Sequence, residues 1–236
     1  MSENIAAIAT PFGTGGISVI RISGKTAISE FNRIFKGPDL TKAKSHTVKY
    51  GHVISLDGNI LDEVMVSVFR APRSFTAEDT VEVATHGGVL VTQSVLNEIL
   101  KLDVRAAMPG EFTQRAFLNG RIDLVEAESV MDLIEAQNES ALKIANLGLS
   151  KKTSTLVEDL LNEVLDLIAK IEVNIDYPEY DDAVEMTNEI IRPVAIDLIK
   201  KFEKLIYHSQ RNKLIKDGID TAIIGRPNVG KSSLLN

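Results

Sequence analysis

The 236-residue sequence contains no cysteine. This absence excludes a disulfide framework and cysteine-ligated zinc or iron–sulfur sites within these residues. Long apolar runs are also lacking, so no transmembrane helix is expected. The N-terminus "MSENIAAIATPFGTGG" has neither the basic region nor the apolar core of a signal peptide. We therefore expect a cytoplasmic protein with no membrane association.

An excess of positive charge is lacking as well. The chain has 26 Lys and Arg against 33 Asp and Glu, which gives a formal net charge of −7. This balance argues against a generally basic nucleic-acid-binding surface, although a local basic patch remains open. Hydrophobic residues make up 44% of the chain, a proportion typical of globular domains. The length allows one large domain or two ordinary ones.

Short strands and helices alternate in the first part of the chain. The segments "IAAIAT", "ISVIRIS", "DEVMVSVF" and "TVEVAT" have strand character, whereas "KTAISEFNRIF" and "VLVTQSVLNEILK" have helical spacing. Within these strands, Arg21 and Glu82 fall on the faces opposite to their apolar neighbours. The pattern predicts an α/β or α+β domain of short strands in this region, in which both charged side chains point away from the core.

Helical periodicity replaces the strands from about Asn119 onward. An apolar stripe between Asn138 and Ile175 predicts one long helix, and a second stripe runs from Ile191 to Ile206. The acidic segment "DYPEYDD" separates them, because Pro178 disfavours helix at its predecessor. Two antiparallel helices form half of a bundle. We expect further helices from residues 120–137, from additional chain or from another subunit.

A phosphate-binding loop closes the sequence. "GIDTAII" predicts a strand, and "GRPNVGKSSLLN" after it fits the pattern G-x-x-x-x-G-K-[ST]. In such a loop backbone N–H groups and Lys231 face the phosphates, and the Ser232 hydroxyl is placed to ligate Mg²⁺. The four residues that follow Ser232 hold no second metal ligand and no water-positioning group. We therefore expect no nucleotide hydrolysis by this chain alone.

Three further features have ordinary structural explanations. "PFGTGGIS" lacks the third glycine and the following helix of a dinucleotide fingerprint, which leaves a tight hairpin turn or a backbone surface for a flat ligand. His86 is expected to pack in a turn or cap a helix, because no second histidine lies at ligand spacing. Arg115 and Arg121 are interpreted, on local sequence alone, as helix-surface charges.

Five segments taken together resemble the MnmE (TrmE) family of tRNA-modification GTPases. They are "ATPFGTGGISVIRISG", "SFTAEDTVEVATHGG", "PGEFTQRAFLNGRIDLVEAE", "IDYPEYDD" and "GRPNVGKSSLLN". The resemblance covers the whole chain but only about the first half of a family member. It implies an α+β protein with an N-terminal folate-binding domain at residues 1–118 and the first half of a helical domain at 119–216. The start of a GTPase domain at 217–236 is then cut just after its P-loop.

The resemblance also implies a function for the whole protein. Family members act as homodimers with a flavin-containing partner of the MnmG type. Together they add an aminomethyl or carboxymethylaminomethyl group at C5 of the wobble uridine of tRNA. A tetrahydrofolate derivative, such as 5-formyl- or 5,10-methylene-tetrahydrofolate, supplies the carbon unit, and potassium stimulates the hydrolysis of GTP.

The family's folate contacts correspond to Arg21, Glu82 and Arg121 of this sequence. Arg121 departs in type from those members that carry lysine at this position: the charge is kept, but an arginine offers a different hydrogen-bonding geometry. In the nucleotide loop Asn228 corresponds to the K⁺ ligand and Ser232 to the Mg²⁺ ligand. The residues expected to bind GTP are Asn228, Val229, Gly230, Lys231, Ser232 and Ser233.

Two other functions remain open beside a folate-binding, dimerising chain. The chain could act as a dimerisation or docking scaffold that binds no ligand. A stand-alone folate-dependent aminomethyltransferase is a third class, and the phosphate-binding loop argues against it because such an enzyme needs no nucleotide.

Overall fold

A computed structural model describes residues 3–176, 187–217, 221, 222, 224–226, 230 and 233. The chain divides into two compact units, Met1–Ala127 and Glu128–Asn236. The first unit is built around a β-sheet and the second consists of helices, which confirms the predicted α+β class. The domain boundaries predicted after residues 118 and 216 stay predictions.

Seven strands form the sheet of the first unit. They are β1 (Asn4–Ile8), β2 (Ile17–Ser23), β3 (Phe35–Lys36), β4 (Thr47–Ile54), β5 (Ile60–Phe69), β6 (Thr80–His86) and β7 (Val104–Ala106). Their order across the sheet is β3-β4-β5-β6-β2-β1-β7. The β1–β7 pair is parallel and the other neighbouring pairs are antiparallel. The four strands predicted in the first part of the chain, now β1, β2, β5 and β6, are confirmed.

Strands β3, β4 and β7 were not predicted. The β4 sequence "TVKYGHVI" contains lysine, glycine and histidine, which weaken its alternation, and β7 is only three residues long. The helix predicted over "KTAISEFNRIF" is also shorter in the structure. It is α1 (Ala27–Asn32), and Phe35 and Lys36 pair with β4 instead. Pairing at the sheet edge, which no local pattern encodes, decides the conformation here.

One face of the sheet is buried under α1 and α2 (Val89–Ile99). Alternate residues of the strands, such as Val64, Val66 and Val83, are fully buried there, as the period-2 pattern predicts. Since successive strand residues point to opposite faces, Arg21 and Glu82 lie on the other face of the sheet. That face therefore carries the two charged residues that the sequence singles out.

The glycine-rich segment between β1 and β2 is a loop over residues 9–16, which contradicts the first of the two alternatives, a tight hairpin turn, and leaves a backbone surface for a flat ligand as a prediction. It contacts the end of β6, where the Gly15 N–H donates to the Gly87 carbonyl at 2.9 Å and the Gly87 N–H donates to the Gly16 carbonyl at 3.3 Å. A Cβ on Gly87 would lie 2.4 Å from the Gly15 carbonyl oxygen. Glycine at position 87 therefore permits this close backbone approach.

Helices follow the sheet. They are α3 (Glu111–Leu118), α4 (Leu124–Glu135), α5 (Glu139–Leu149), α6 (Lys152–Asp176) and α7 (Asn188–Asp217). The single helix predicted between Asn138 and Ile175 is wrong, because α5 and α6 are separated at Ser150 and Lys151. Lys151 has a positive φ of 61°, which a continuous helix does not allow.

Helices α6 and α7 contact each other within the second unit, and Lys201 Nζ lies 2.6 Å from Glu163 Oε2. The predicted acidic turn between them, residues 176–182, lies outside the described residues except for Asp176, at which α6 ends. Many apolar side chains of both helices stay exposed, among them Leu161, Leu165 and Ile206. In the part of the chain that the structure describes, no helix combines the length and apolar character needed to span a membrane.

Candidate functional site

Arg21 and Glu82 form an ion pair on the face of the sheet opposite to the core. The register of β2 and β6 places the two residues directly opposite each other. Arg21 Nε donates to Glu82 Oε1 at 2.8 Å, and Arg21 Nη2 lies at the same distance from this oxygen. The side chains remain 26% and 28% exposed. Glu82 Oε2 has no hydrogen bond within the described residues, so one carboxylate oxygen can still accept.

The ring of Phe75 contacts both Arg21 and the third predicted residue, Arg121. The guanidinium carbons of Arg21 and Arg121 lie 5.2 and 5.7 Å from its centroid, and that of Arg21 lies 5.6 Å from the ring of Phe112. These distances are typical of cation–π contacts. The structure thus brings together all three residues singled out as folate contacts. We call Arg21, Phe75, Glu82, Phe112 and Arg121 the Phe75 cluster.

An open groove of about 490 Å³ begins at the Phe75 cluster. Its lining combines aromatic or apolar side chains with basic ones: His46, Phe69, Pro72, Arg73, Ser74, Phe75 and Arg121. Apolar walls with a few charged groups are typical of sites that bind small organic ligands. The composition suits a flat, anionic ligand.

Arg115 is not the surface charge that we expected from local sequence. Its side chain is only 12% exposed. Arg115 Nη1 lies 3.0 Å from Glu78 Oε2, and Arg115 Nη2 lies 3.2 Å from Glu111 Oε1. Glu78 also accepts a hydrogen bond of 2.9 Å from the Ser23 hydroxyl at the end of β2. The network fixes α3 against the sheet beside the Phe75 cluster. Sequence reasoning missed it because Glu78 and Arg115 are far apart in the chain.

Glu111 links this network to β7. Arg105 Nη2 lies 2.6 Å from Glu111 Oε1, and the Met108 N–H donates to Glu111 Oε2 at 2.8 Å. The hydrogen bonds from Arg105 lower the pKa of Glu111 to about 2, against the opposing effect of burial. Glu111 is therefore charged at neutral pH although it is buried.

His86 pairs with Asp62 at the end of β6, rather than packing in a turn or capping a helix. His86 Nδ1 lies 2.6 Å from Asp62 Oδ1, and the His86 backbone N–H donates to Asp62 Oδ2 at 2.8 Å. The imidazole is 69% exposed whereas the carboxylate is 8% exposed. The hydrogen bond between the imidazole and Asp62 raises the pKa of His86 above the usual value of 6.5. No local pattern indicates this pair, since the partners lie on different strands.

Most of the predicted nucleotide loop lies outside the described residues. This applies to Asn228, Val229, Lys231 and Ser232, and therefore to both predicted metal ligands. Gly230 has a positive φ of 84°, and the Ser233 N–H donates to its carbonyl at 3.1 Å. The strand predicted at 218–224 also falls largely on residues that are not described. The nucleotide-binding and metal-binding residues stay predictions.

Two family models match the chain in succession. The model "GTP-binding protein TrmE N-terminus" matches residues 4–121, and "MnmE helical domain" matches residues 124–228. The chain belongs to the MnmE family. The two MnmE matches follow the order of the observed architecture, a sheet-containing unit and then a helical one.

Curated MnmE relatives align over almost the whole chain. A protein of Acholeplasma laidlawii named "tRNA modification GTPase MnmE" is 60% identical over 234 residues, which is 99% of this chain and 52% of that protein. Proteins with the same name from Aster yellows witches'-broom phytoplasma and Bacillus cytotoxicus are 59% and 53% identical over 99% of this chain. Each alignment covers 51% of the relative. The chain thus spans about half the length of these MnmE proteins.

Proposed function

We propose that the first unit binds a reduced folate, such as 5-formyl- or 5,10-methylene-tetrahydrofolate, at the Phe75 cluster. The observation that carries this proposal is the convergence of Arg21, Glu82 and Arg121 around the ring of Phe75. Two guanidiniums, one carboxylate and an aromatic ring thereby lie together, and two members of this group, Phe75 and Arg121, also line the groove.

The chemistry of a pterin fits these groups. The aminopyrimidine edge of the pterin presents N–H groups, which can donate hydrogen bonds to Oε2 of Glu82. Guanidiniums donate to carbonyl or carboxylate oxygens, and the Phe75 ring beside them adds an apolar contact. Arg21 holds Glu82 in place through the other carboxylate oxygen, so the acceptor is oriented before the ligand arrives.

Calorimetric titration of the 236-residue chain with 5-formyltetrahydrofolate tests the site. Glu82→Ala removes the acceptor, and we expect an affinity loss of at least about tenfold, the size of one charged hydrogen bond. Glu63→Ala is the matched control, since Glu63 is an exposed glutamate on the neighbouring strand β5. Unchanged affinity after Glu82→Ala would argue against the named site.

For the whole protein we propose the activity that the names of its relatives state, tRNA modification coupled to GTP hydrolysis. The folate would supply a carbon unit for an aminomethyl or carboxymethylaminomethyl group at C5 of the wobble uridine, with an MnmG-type flavoprotein as partner. Asn228 would bind K⁺ and Ser232 would bind Mg²⁺. That the 236 residues alone do not hydrolyse GTP also stays a prediction, and measurable turnover by the pure chain would contradict it.

A dimerisation or docking scaffold without ligand binding is the second candidate. It is favoured by exposed apolar residues on the sheet, namely Val48, Tyr50 and Met65. We propose a homodimer in either case. Sedimentation combined with folate titration discriminates the two: a dimer that binds folate supports the first function, and a dimer that does not bind supports the second.

A further inference from the structure

A tract of basic side chains continues from the Phe75 cluster along the surface of the first unit. A second open groove of about 650 Å³ adjoins the first one, and Arg73 lines both. The basic residues that line the two grooves are Lys42, Lys44, Arg70, Arg73 and Arg121. We call these five residues the cationic tract. Its concentration of positive charge contrasts with the net charge of −7 of the chain.

Three members of the tract are available to an anion. Lys44, Arg73 and Arg121 are exposed, and none of them forms an ion pair within the described residues. Lys42 has a long contact of 3.4 Å with the exposed Asp39. A nearby acid, Asp79, accepts a hydrogen bond from the Ala71 N–H. The tract therefore keeps an excess of positive charge.

Arg70 holds the tract together. Its Nε donates to the Ala43 carbonyl at 3.0 Å and its Nη2 donates to the Thr41 carbonyl at 2.5 Å. These bonds tie the segment before β4 to the loop after β5, the two parts of the chain that carry Lys44 and Arg73. The basic side chains are thus placed by a fixed backbone.

We infer that the cationic tract binds the carboxylates of a poly-γ-glutamyl folate tail. This inference rests on the proposed function, since it needs the pterin at the Phe75 cluster. The glutamate tail leaves the folate at the end opposite to the pterin, and each added γ-linked glutamate contributes one carboxylate. From Phe75 the grooves lead past Arg121 and Arg73 to Lys44, so successive carboxylates meet successive cations.

RNA phosphates are the other polyanion that such a tract could attract. RNA-binding surfaces are usually broad and belong to basic domains, whereas this tract is confined to two small grooves on an acidic chain. Its continuity with the Phe75 cluster favours the folate tail.

Calorimetry with monoglutamyl and tri-γ-glutamyl 5-formyltetrahydrofolate tests the inference on the 236-residue chain. We expect the triglutamyl form to bind about tenfold more tightly, because a few exposed ion pairs together contribute that factor. The gain should shrink as salt screens the exposed charges. In the double variant Lys44→Ala with Arg73→Ala the triglutamyl form should lose its affinity advantage over the monoglutamyl form.

Lys36→Ala serves as the matched control, because Lys36 is an exposed lysine on the edge strand β3 and lines neither groove. The Lys36→Ala variant should keep the full affinity gain of the triglutamyl form over the monoglutamyl form. Equal affinity for both folates would overturn the tail inference and leave the proposed function intact. Binding of neither folate would overturn both. If the affinity gain of the triglutamyl form survived in the double variant, the assignment of Lys44 and Arg73 to the tail would be overturned. Binding of tRNA to the tract, without a preference for the triglutamyl form, would overturn it as well.

Discussion

Arg21 and Glu82 face each other across β2 and β6, with Arg21 Nε 2.8 Å from Glu82 Oε1. Cross-strand opposite charges stabilise a sheet only modestly when they are partly exposed. The position of the pair is more informative than its energy, because it lies against Phe75 together with Arg121. The contacts around Phe75 are the basis of the first prediction.

Phe75→Leu should destabilise the first unit by about 1 kcal/mol. Leucine retains an apolar side chain but lacks the π face that two guanidiniums contact, and an exposed cation–π contact contributes about 0.5 kcal/mol. Urea denaturation measures the loss. Phe117→Leu is the control, since Phe117 is an exposed phenylalanine with no such contact in the described residues. Equal losses in the two variants would contradict a specific role of the ring.

Glu111→Gln should cost about 3 kcal/mol of unfolding free energy at neutral pH, the value of a pKa lowered from 4.5 to about 2. Because the folded pKa lies below the ordinary one, this stabilisation is present above pH 4.5 and is lost as the pH falls through about 2. The difference between wild type and variant should therefore vanish in acid.

Denaturation at neutral and at acid pH measures the free energy of unfolding of the wild type and of the Glu111→Gln variant. Glu63→Gln is the control, since Glu63 is exposed and lies outside the network around Glu111. A loss that does not depend on pH would indicate that packing, rather than charge, explains the effect.

The imidazole of His86 should titrate above its usual pKa of 6.5, because its charged form is bonded to Asp62. Stabilisation by this pair is fully present below pH 6.5 and is lost as the pH rises through the folded pKa of His86. NMR titration measures that pKa directly. Asp62→Asn should bring it back toward the usual value, whereas Asp57→Asn, at an exposed aspartate, should not. An unmoved titration in Asp62→Asn would refute the pairing.

Gly87→Ala should destabilise the first unit by about 2 kcal/mol, a typical cost of overpacking. The added Cβ would lie 2.4 Å from the Gly15 carbonyl oxygen, which is backbone and cannot rotate away. Gly16→Ala is the control, because a Cβ there has no neighbour within 4 Å. Thermal melting compares the two variants, and similar melting temperatures would show that the loop can shift at little cost.

The local sequence determined the class of fold and the orientation of key side chains. Alternation in β2 and β6 was sufficient to place Arg21 and Glu82 away from the core, because the period of a strand fixes which face a residue occupies. Ordered motifs gave the family, which the two family-model matches confirm. The break between α5 and α6 was missed, because neither glycine nor proline stands at Ser150 and Lys151, where the helices separate.

Only the tertiary structure decided which distant residues meet. It paired Arg115 with Glu78, His86 with Asp62 and the loop at Gly15 with Gly87, and it aligned Arg73 and Arg121 along one groove. Residue periodicity reports only which side of a strand or helix faces the core. The partner of a charged side chain depends on strand order and on the course of the loops, and those follow from the packing of the whole unit.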